Sequence, residues 1–153
     1  MDNNTNQECL EVSKLLTQQK VSIELGLDID YSRMDYSLGS LSYLDQILKQ
    51  VHESKVSFDK ETLNKIFLRF GCYCGEVIRR ESKNYNWLSF EEAVELNPEI
   101  KNIGKSIFTY YVLFSEKTNN FIFPISKVSK YVEAGESESL SFYTKTILEQ
   151  EDN

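Results

Sequence analysis

Glu76 is the acidic residue best placed for chemistry, because it lies in a strongly helical segment beside two arginines. Arg80 follows it by four residues, the spacing at which a Glu that precedes an Arg stabilises a helix through a solvated ion pair. The functional alternative is a cleft in which the carboxylate faces Arg79, Arg80 or Trp87. These four residues are therefore the candidate site of a small enzyme or a ligand-binding domain.

Cys72 and Cys74 invite a metal or redox interpretation, which their spacing excludes. Positions two apart on a helix differ by about 200°, so the two sulfur atoms point to opposite sides. They can neither bind one ion nor bridge to each other. We expect Cys74 in the apolar core and Cys72 on the opposite side of the helix, both acting as small apolar residues. The sequence predicts no metal site and no cofactor.

Two further patterns, a possible general base and a possible calcium-binding loop, do not predict a functional site. His52 could act as a general base, but the sequence supplies no nucleophile for it, and a His in the last turn of a helix is favoured by the helix dipole. The acidic segment 28–39 resembles a calcium-binding loop, yet Arg33 stands where that loop needs Gly and Gly39 where it needs Glu. A non-catalytic protein is therefore expected.

The chain carries 24 acidic and 17 basic residues, and its net charge of −7 is concentrated at the two ends. Residues 1–53 have a net charge of −5 and residues 106–153 of −3. This balance argues against binding to the phosphate backbone of nucleic acids. Acidic segments with exposed tyrosines suit a basic protein partner, since electrostatic steering accelerates such association. The candidate residues are Tyr31, Asp35 and Tyr36, and Tyr43 is expected to be exposed as well.

Targeting signals are absent from the sequence. The N-terminus lacks the basic start and apolar stretch of a secretory signal. The longest apolar stretch, Ile107–Phe114, is far shorter than the roughly 20 residues that span a bilayer. An odd number of cysteines fits a reducing compartment. We expect a cytoplasmic protein with no membrane partner, while its oligomeric state stays open.

Hydrophobic periodicity predicts several helices and one hairpin. The strongest element is a helix from Lys60 to about Ser82, capped by Asp59, with an apolar stripe roughly 120° wide. Gly71 and Gly75 lie one turn apart on the edge of that stripe, which predicts the close approach of another element. The other predicted elements are a helix over 8–20, a helix or strand over 21–25, a loop over 28–39, helices over 41–52, 125–134 and from Ser139, a strand near 85–88, a capping-box helix from Ser89 and a hairpin over about 106–123.

The order of these elements lacks the regular alternation of strand and helix that builds a parallel sheet. We therefore predict an α+β fold for one domain over residues 1–153, in which a small antiparallel sheet packs against about five helices. Such a length closes a core without metal or disulfide. The ends are expected to fray over about 1–6 and 150–153.

The segment from Gly71 to Arg79 carries a G-x-Y-x-G-E-V-I-R pattern. It resembles a loose group of small bacterial proteins of unknown function, in which such a helix precedes a Trp, a hydrophobic strand, a proline and a Gly-x-x-x-Ser-Leu stretch. The resemblance covers most of residues 27–143 and implies the fold and a bacterial cytoplasmic protein, with no established catalytic residue. The chain departs from the group in its cysteines and in Asn84-Tyr85-Asn86, which replaces a glycine-rich segment. The matching positions are Trp87, Phe123-Pro124, Lys130, Gly135, Ser139-Leu140 and the segment from Tyr36 to Asp45.

Three functions follow as hypotheses. The first is a non-catalytic protein-binding module, such as an immunity protein that covers the site of a basic toxin or enzyme with an acidic surface. The second is a small enzyme or ligand-binding domain around Glu76. The third is an acidic mimic of nucleic acid, which requires carboxylates spaced like phosphates on one face. The failed catalytic patterns and the charge distribution favour the first.

Overall fold

The computed structural model describes residues 3–152. Helices account for most of these residues, and three short strands form one antiparallel sheet, which confirms the predicted α+β class. Short 3-10 turns join several of the elements. The described elements are α1 (Asn3–Lys14), α2 (Gln19–Leu25), α3 (Leu38–Glu53), α4 (Lys60–Glu81), β1 (Tyr85–Ser89), α5 (Phe90–Leu96), β2 (Tyr111–Ser115), β3 (Phe121–Ile122), α6 (Pro124–Ala134) and α7 (Leu140–Asp152).

Helix α4 lies at the centre of the molecule, between α1 and α6. Its start is as predicted, since the Asp59 carboxylate accepts a hydrogen bond from the backbone N–H of Thr62 at 2.7 Å. Every residue from Phe70 to Ile78 is buried, so the helix has no solvated face there. Cys72 lies beside Cys9 of α1 and Cys74 beside Thr144 of α7, so the two thiols point to opposite sides of α4 as predicted, and both sides are buried.

Gly71 and Gly75 allow the close packing of α4, as predicted. A Cβ added to Gly71 would lie 2.6 Å from the Cα of Ile125 at the start of α6. A Cβ added to Gly75 would enter the indole ring of Trp87 in β1. Gly71 therefore leaves room for the backbone of α6, and Gly75 leaves room for the indole ring of Trp87.

The sheet has the order β1-β2-β3, with Trp87 opposite Leu113 and Leu113 opposite Ile122. These residues join the main core around α4. Their neighbours along the strands alternate to the other face, where Leu88, Val112 and Phe114 form a smaller core with α5. The outer edge of β1 is covered by α1, whose Asn6 accepts a hydrogen bond from the backbone N–H of Trp87 at 2.8 Å.

The N-terminal helices differ in their bounds from the prediction. Residues 19–25 form α2, which excludes the strand that alternation of apolar residues allowed. Ile23 and Leu25 do not share a buried face as they would in a half-buried strand, since Ile23 is 74% exposed and Leu25 is 2% exposed. Helix α3 begins at Leu38, three residues before the predicted start, because the Ser37 hydroxyl caps it by accepting a hydrogen bond from the backbone N–H of Ser40 at 3.1 Å.

The hairpin is shorter than predicted. Residues Ile107–Thr109 form a 3-10 turn, and β2 begins only at Tyr111. The turn is closed by its own side chains, because the Ser106 hydroxyl accepts from the N–H of Phe108 while the Thr109 hydroxyl accepts from the N–H of Ser106.

The predicted fraying over 1–6 and 150–153 falls partly on described residues. Residues 3–6 and 150–152 are helical, whereas 1, 2 and 153 lie outside the described residues. The Thr5 hydroxyl donates to Glu92 at 2.9 Å, and the buried Glu151 carboxylate accepts from the Ser115 hydroxyl at 3.2 Å. Over residues 3–152, no helix has the length and apolar character needed to cross a bilayer.

Candidate functional site

Glu76 lies beneath Trp87 and is only 3% exposed. The indole N–H of Trp87 donates to its Oε2 at 2.9 Å, and the Arg79 guanidinium donates to the same oxygen at 2.8 Å. The predicted solvated pair with Arg80 is wrong, because the helix buries this face against β1 and Arg79 is the residue in reach. These two donors replace hydrogen bonds that the carboxyl group would make to water, which offsets the cost of burying it.

Arg80 binds an aromatic ring instead of a carboxylate. Its guanidinium carbon lies 3.9 Å from the centroid of the Tyr36 ring. The Tyr36 ring also stacks on Tyr73, with 4.7 Å between centroids, and its hydroxyl lies 2.9 Å from the Ser13 hydroxyl. Tyr36 adopts a left-handed backbone with φ of 63°, and its N–H donates to the Tyr73 hydroxyl at 2.8 Å. These contacts hold a conformation that a bulky residue adopts only at a cost.

The acidic loop of residues 26–37 presents carboxylates to solvent. Asp35 is exposed, and hydrogen bonds from the Ser37 hydroxyl and backbone N–H lower the pKa of its carboxyl. Asp30 is held in the same way by Ser32, with a lowered pKa. Both side chains are therefore ionised at neutral pH. Tyr31 and Tyr36 are half-buried.

Tyr43 is not the exposed tyrosine that the sequence suggested. It is 9% exposed, and its hydroxyl accepts a hydrogen bond from the backbone N–H of Asp30 at 2.6 Å. Arg33 covers its ring, with 4.0 Å from the guanidinium carbon to the centroid. Tyr43 therefore anchors the acidic loop on α3.

Five of the sequence-predicted residues fall into two groups, whereas Tyr31 and Asp35 lie in the acidic loop. Glu76, Arg79 and Trp87 form a buried cluster that holds α4 against β1. Arg80 and Tyr36 form a stack at the surface.

His52 and the cysteines take part in hydrogen bonding and packing within the fold. The Nδ1 of His52 lies 2.6 Å from the backbone oxygen of Val132 at the end of α6. Burial, together with the neighbouring Cys72 thiol, raises the pKa of Cys9, and burial raises the pKa of Cys74 to about 12. Over residues 3–152, no three His, Cys, Asp or Glu side chains are grouped so as to hold a metal ion.

The candidate ligand site is a cleft of about 440 Å³ between the hairpin, α6 and α7, hereafter the α6 cleft. Its apolar part comes from aromatic side chains of the 3-10 turn, β3 and α7. Its polar part comes from the first two turns of α6. The lining residues are Ile103, Ser106, Phe108, Thr109, Phe121, Ile122, Phe123, Ser126, Lys127, Lys130 and Tyr143.

Regular elements position the side chains of the α6 cleft. Phe121 and Phe123 are two residues apart in an extended segment, so they share one face, beside the smaller core. Lys127 and Lys130 are three residues apart on α6 and so share a helix face. Pro124 begins this helix and Gly135 ends it, as the sequence predicts. The cleft is thus preformed by packed elements.

Lys127 is held in place by Glu138 and Tyr143. Its ammonium forms an ion pair with the Glu138 carboxylate and lies 5.2 Å from the centroid of the Tyr143 ring. The hydrogen bond from Lys127, and the nearby charge of Lys130, lower the pKa of Glu138. Burial raises the pKa of Tyr143, so its hydroxyl stays neutral at physiological pH.

Lys130 is the basic side chain of the cleft that stays available. It is exposed, and within residues 3–152 no carboxylate lies at ion-pair distance from it. The cleft lining contains no carboxylate, although the whole chain is acidic. Lys127, Lys130 and Glu138 together leave one positive charge at this end of the cleft.

Sequence reasoning missed the α6 cleft. Two signals pointed to it: the alternating aromatic residues Phe121 and Phe123 before a proline, and the pair of lysines three residues apart in the next helix. Neither signal shows that the 3-10 turn at Phe108 and the Tyr143 ring complete the walls, because those contacts depend on packing.

Comparison with known proteins gives no match: no protein-family model, curated protein or solved structure is significantly similar to this chain. The resemblance to the group of small bacterial proteins therefore stays a prediction.

Proposed function

We propose that the protein is a non-catalytic binding protein of the bacterial cytoplasm, whose ligand is a small molecule held in the α6 cleft. The observation that carries this proposal is the cleft itself, about 440 Å³ with an aromatic wall and a basic end. Ligand sites commonly have volumes of about 300–1,000 Å³, apolar walls and a few polar groups that fix orientation.

The contacts of the cleft support a binding site more than a chance depression. Phe108 packs on Phe67 of α4, with 5.9 Å between ring centroids, and Phe121 packs on Phe114 of β2. The walls are therefore anchored in both cores. Rigid walls reduce the entropy lost when a ligand is ordered.

A neutral aromatic probe tests the proposal without relying on charge. We expect 2-naphthalenemethanol, titrated into ¹⁵N-labelled protein, to shift the amide signals of the cleft residues and leave those of α2 unchanged. Ser126→Phe places a ring in the cleft and is expected to reduce affinity at least tenfold. Ser137→Phe, at an exposed position outside the cleft lining, is the matched control.

Two results would contradict the proposal. One is the absence of any saturable shift in the cleft, and the other is equal affinity of the wild-type protein and the folded Ser126→Phe variant. The melting temperature of each variant establishes that it is folded.

A second function is favoured by the acidic loop of residues 26–37. Asp28, Asp30 and Asp35 are exposed, and within residues 3–152 none forms an ion pair with a Lys or Arg side chain. Fixed carboxylates of this kind suit a basic protein partner, as in an immunity-type inhibitor of a toxin or enzyme. The loop is preordered by the Tyr36 contacts, which lowers the entropic cost of association.

Capture from a bacterial lysate at low salt tests this second function. We expect the wild-type protein to retain a basic partner that an Asp28→Asn/Asp35→Asn variant does not retain. An equal charge change at exposed positions elsewhere, Glu95→Gln/Glu99→Gln, is expected to leave retention unchanged. Equal retention by both double variants, or no retained basic protein, would contradict it.

A further inference from the structure

We propose that the ligand of the α6 cleft is an amphipathic monoanion, an aryl or medium-chain carboxylate, whose apolar part packs on Phe108, Phe121 and Phe123 and whose carboxylate binds Lys130. This inference rests on the proposed function and names the chemical class of its ligand.

The charge of the cleft selects an anion. The chain has a net charge of −7, yet the titratable side chains in the cleft lining are two lysines and one neutral tyrosine. A protein with this net charge repels anions at most of its surface, so a local positive site with no carboxylate in its lining is a distinct feature.

The single available positive charge of the cleft favours a ligand with one negative charge. The Lys127 ammonium is already neutralised by Glu138, so Lys130 supplies one uncompensated positive charge. A phosphate dianion is typically bound by several charged or backbone donors. A single available lysine in a lining that also presents aromatic rings matches one carboxylate.

The exposed apolar surface of the cleft favours a ligand that carries an apolar group beside its charge. The three phenylalanines are half-buried, and Ile103 is 62% exposed at the cleft mouth. A ligand that covers these surfaces removes apolar area from water, worth roughly 25 cal/mol per Å². The Ser126 hydroxyl, in the first turn of α6, is a further polar group of the lining.

Three probes that share one ring system separate charge from apolar contact. They are 2-naphthoate, 2-naphthalenemethanol and 2-naphthylmethylammonium, titrated by calorimetry or NMR at low ionic strength. We expect 2-naphthoate to bind at least fivefold more tightly than the alcohol, and the ammonium probe to bind most weakly. The preference for the anion should decrease with added salt, because screening weakens an exposed ion pair.

Lys130→Gln tests the assigned residue. It should reduce the affinity for 2-naphthoate about fivefold, as expected for an exposed ion pair, and leave the affinity for the alcohol unchanged. Lys83→Gln removes an exposed charge outside the α6 cleft and is the matched control. If all three probes bind equally, or Lys130→Gln changes nothing, this inference is wrong while the proposed function stands. If no probe binds in the cleft, both are wrong.

Discussion

The indole ring of Trp87 occupies the space that a side chain at Gly75 would need. Because both residues are completely buried, Gly75→Ala cannot be accommodated by movement toward solvent. We expect a loss of about 2–3 kcal/mol in the free energy of unfolding, measured by urea denaturation. Gly39→Ala in α3, where the nearest atom would be 3.7 Å away, should be neutral or stabilise by up to about 1 kcal/mol. Similar values for the two variants would contradict this account.

Glu76→Gln should destabilise the protein by about 2 kcal/mol, since the amide presents a weaker acceptor to both of its donors. The double-mutant cycle with Arg79→Met should give a coupling energy of at least about 1 kcal/mol, because the two side chains are in direct contact. Glu149→Gln, at an exposed position of α7, is the control and should change stability by less than about 0.5 kcal/mol. A coupling energy near zero would show that the buried pair is not an energetic unit.

Asp45 of α3 caps the start of α7. Its carboxylate accepts hydrogen bonds from the Ser139 hydroxyl at 2.7 Å and from the N–H groups of Leu140 and Ser141 at 2.8 and 3.2 Å. Asp45→Ala should cost about 2 kcal/mol, and Asp45→Asn less, because Asn still accepts one of these bonds. Hydrogen exchange should accelerate in the first turn of α7 in both variants. Unchanged protection in that turn would exclude a capping role.

Stability should decrease at alkaline pH. Burial raises the pKa of Tyr85 and Tyr131 to about 12, whereas an unfolded Tyr has a pKa near 10. The folded state therefore keeps these protons at a pH where the unfolded chain releases them. Their stabilisation is complete below about pH 10 and is lost as the pH rises toward 12. Tyr131→Phe should lose less stability than the wild-type protein between pH 8 and pH 11, while Tyr110→Phe, at a half-exposed position, should not differ.

The cysteines should not react in the folded protein. All three thiols are buried, and burial raises the pKa of Cys9 and Cys74. A thiol-specific disulfide reagent at pH 8 should therefore react with none of them within minutes, and with three per chain in urea. Ser137→Cys supplies an exposed thiol as a positive control. Rapid reaction of Cys9 or Cys72 would mean that α1 separates readily from α4, and rapid reaction of Cys74 would mean that α7 does.

The sequence predicts those elements whose signals are local. The Asp59 cap, the Ser89-Glu92 capping box, and the Pro124 start and Gly135 end of α6 depend on contacts within a few residues, and all are found in the structure. The close packing at Gly71 and Gly75 could also be predicted from the sequence. Gly destabilises a helix interior, so it is expected there mainly where another element packs closely against the helix.

The burial of Glu76 could not be predicted in the same way. Helical periodicity places this residue opposite the apolar stripe, which normally faces solvent. What buries it is the return of β1 across α4, a contact between segments that the spacing of residues in one helix does not encode. The α6 cleft depends likewise on four elements that meet only in the folded chain.

The hydrogen bond between Asn6 and the outer edge of β1 has a consequence for the nascent chain. During synthesis, α1 leaves the ribosome about eighty residues before the strand that it covers. Until both are available, neither has its partner, and a proteolytic cut after α1 would expose a strand whose free amides can pair with another molecule. Helix α1 therefore protects the edge of β1 from pairing with a strand of another molecule.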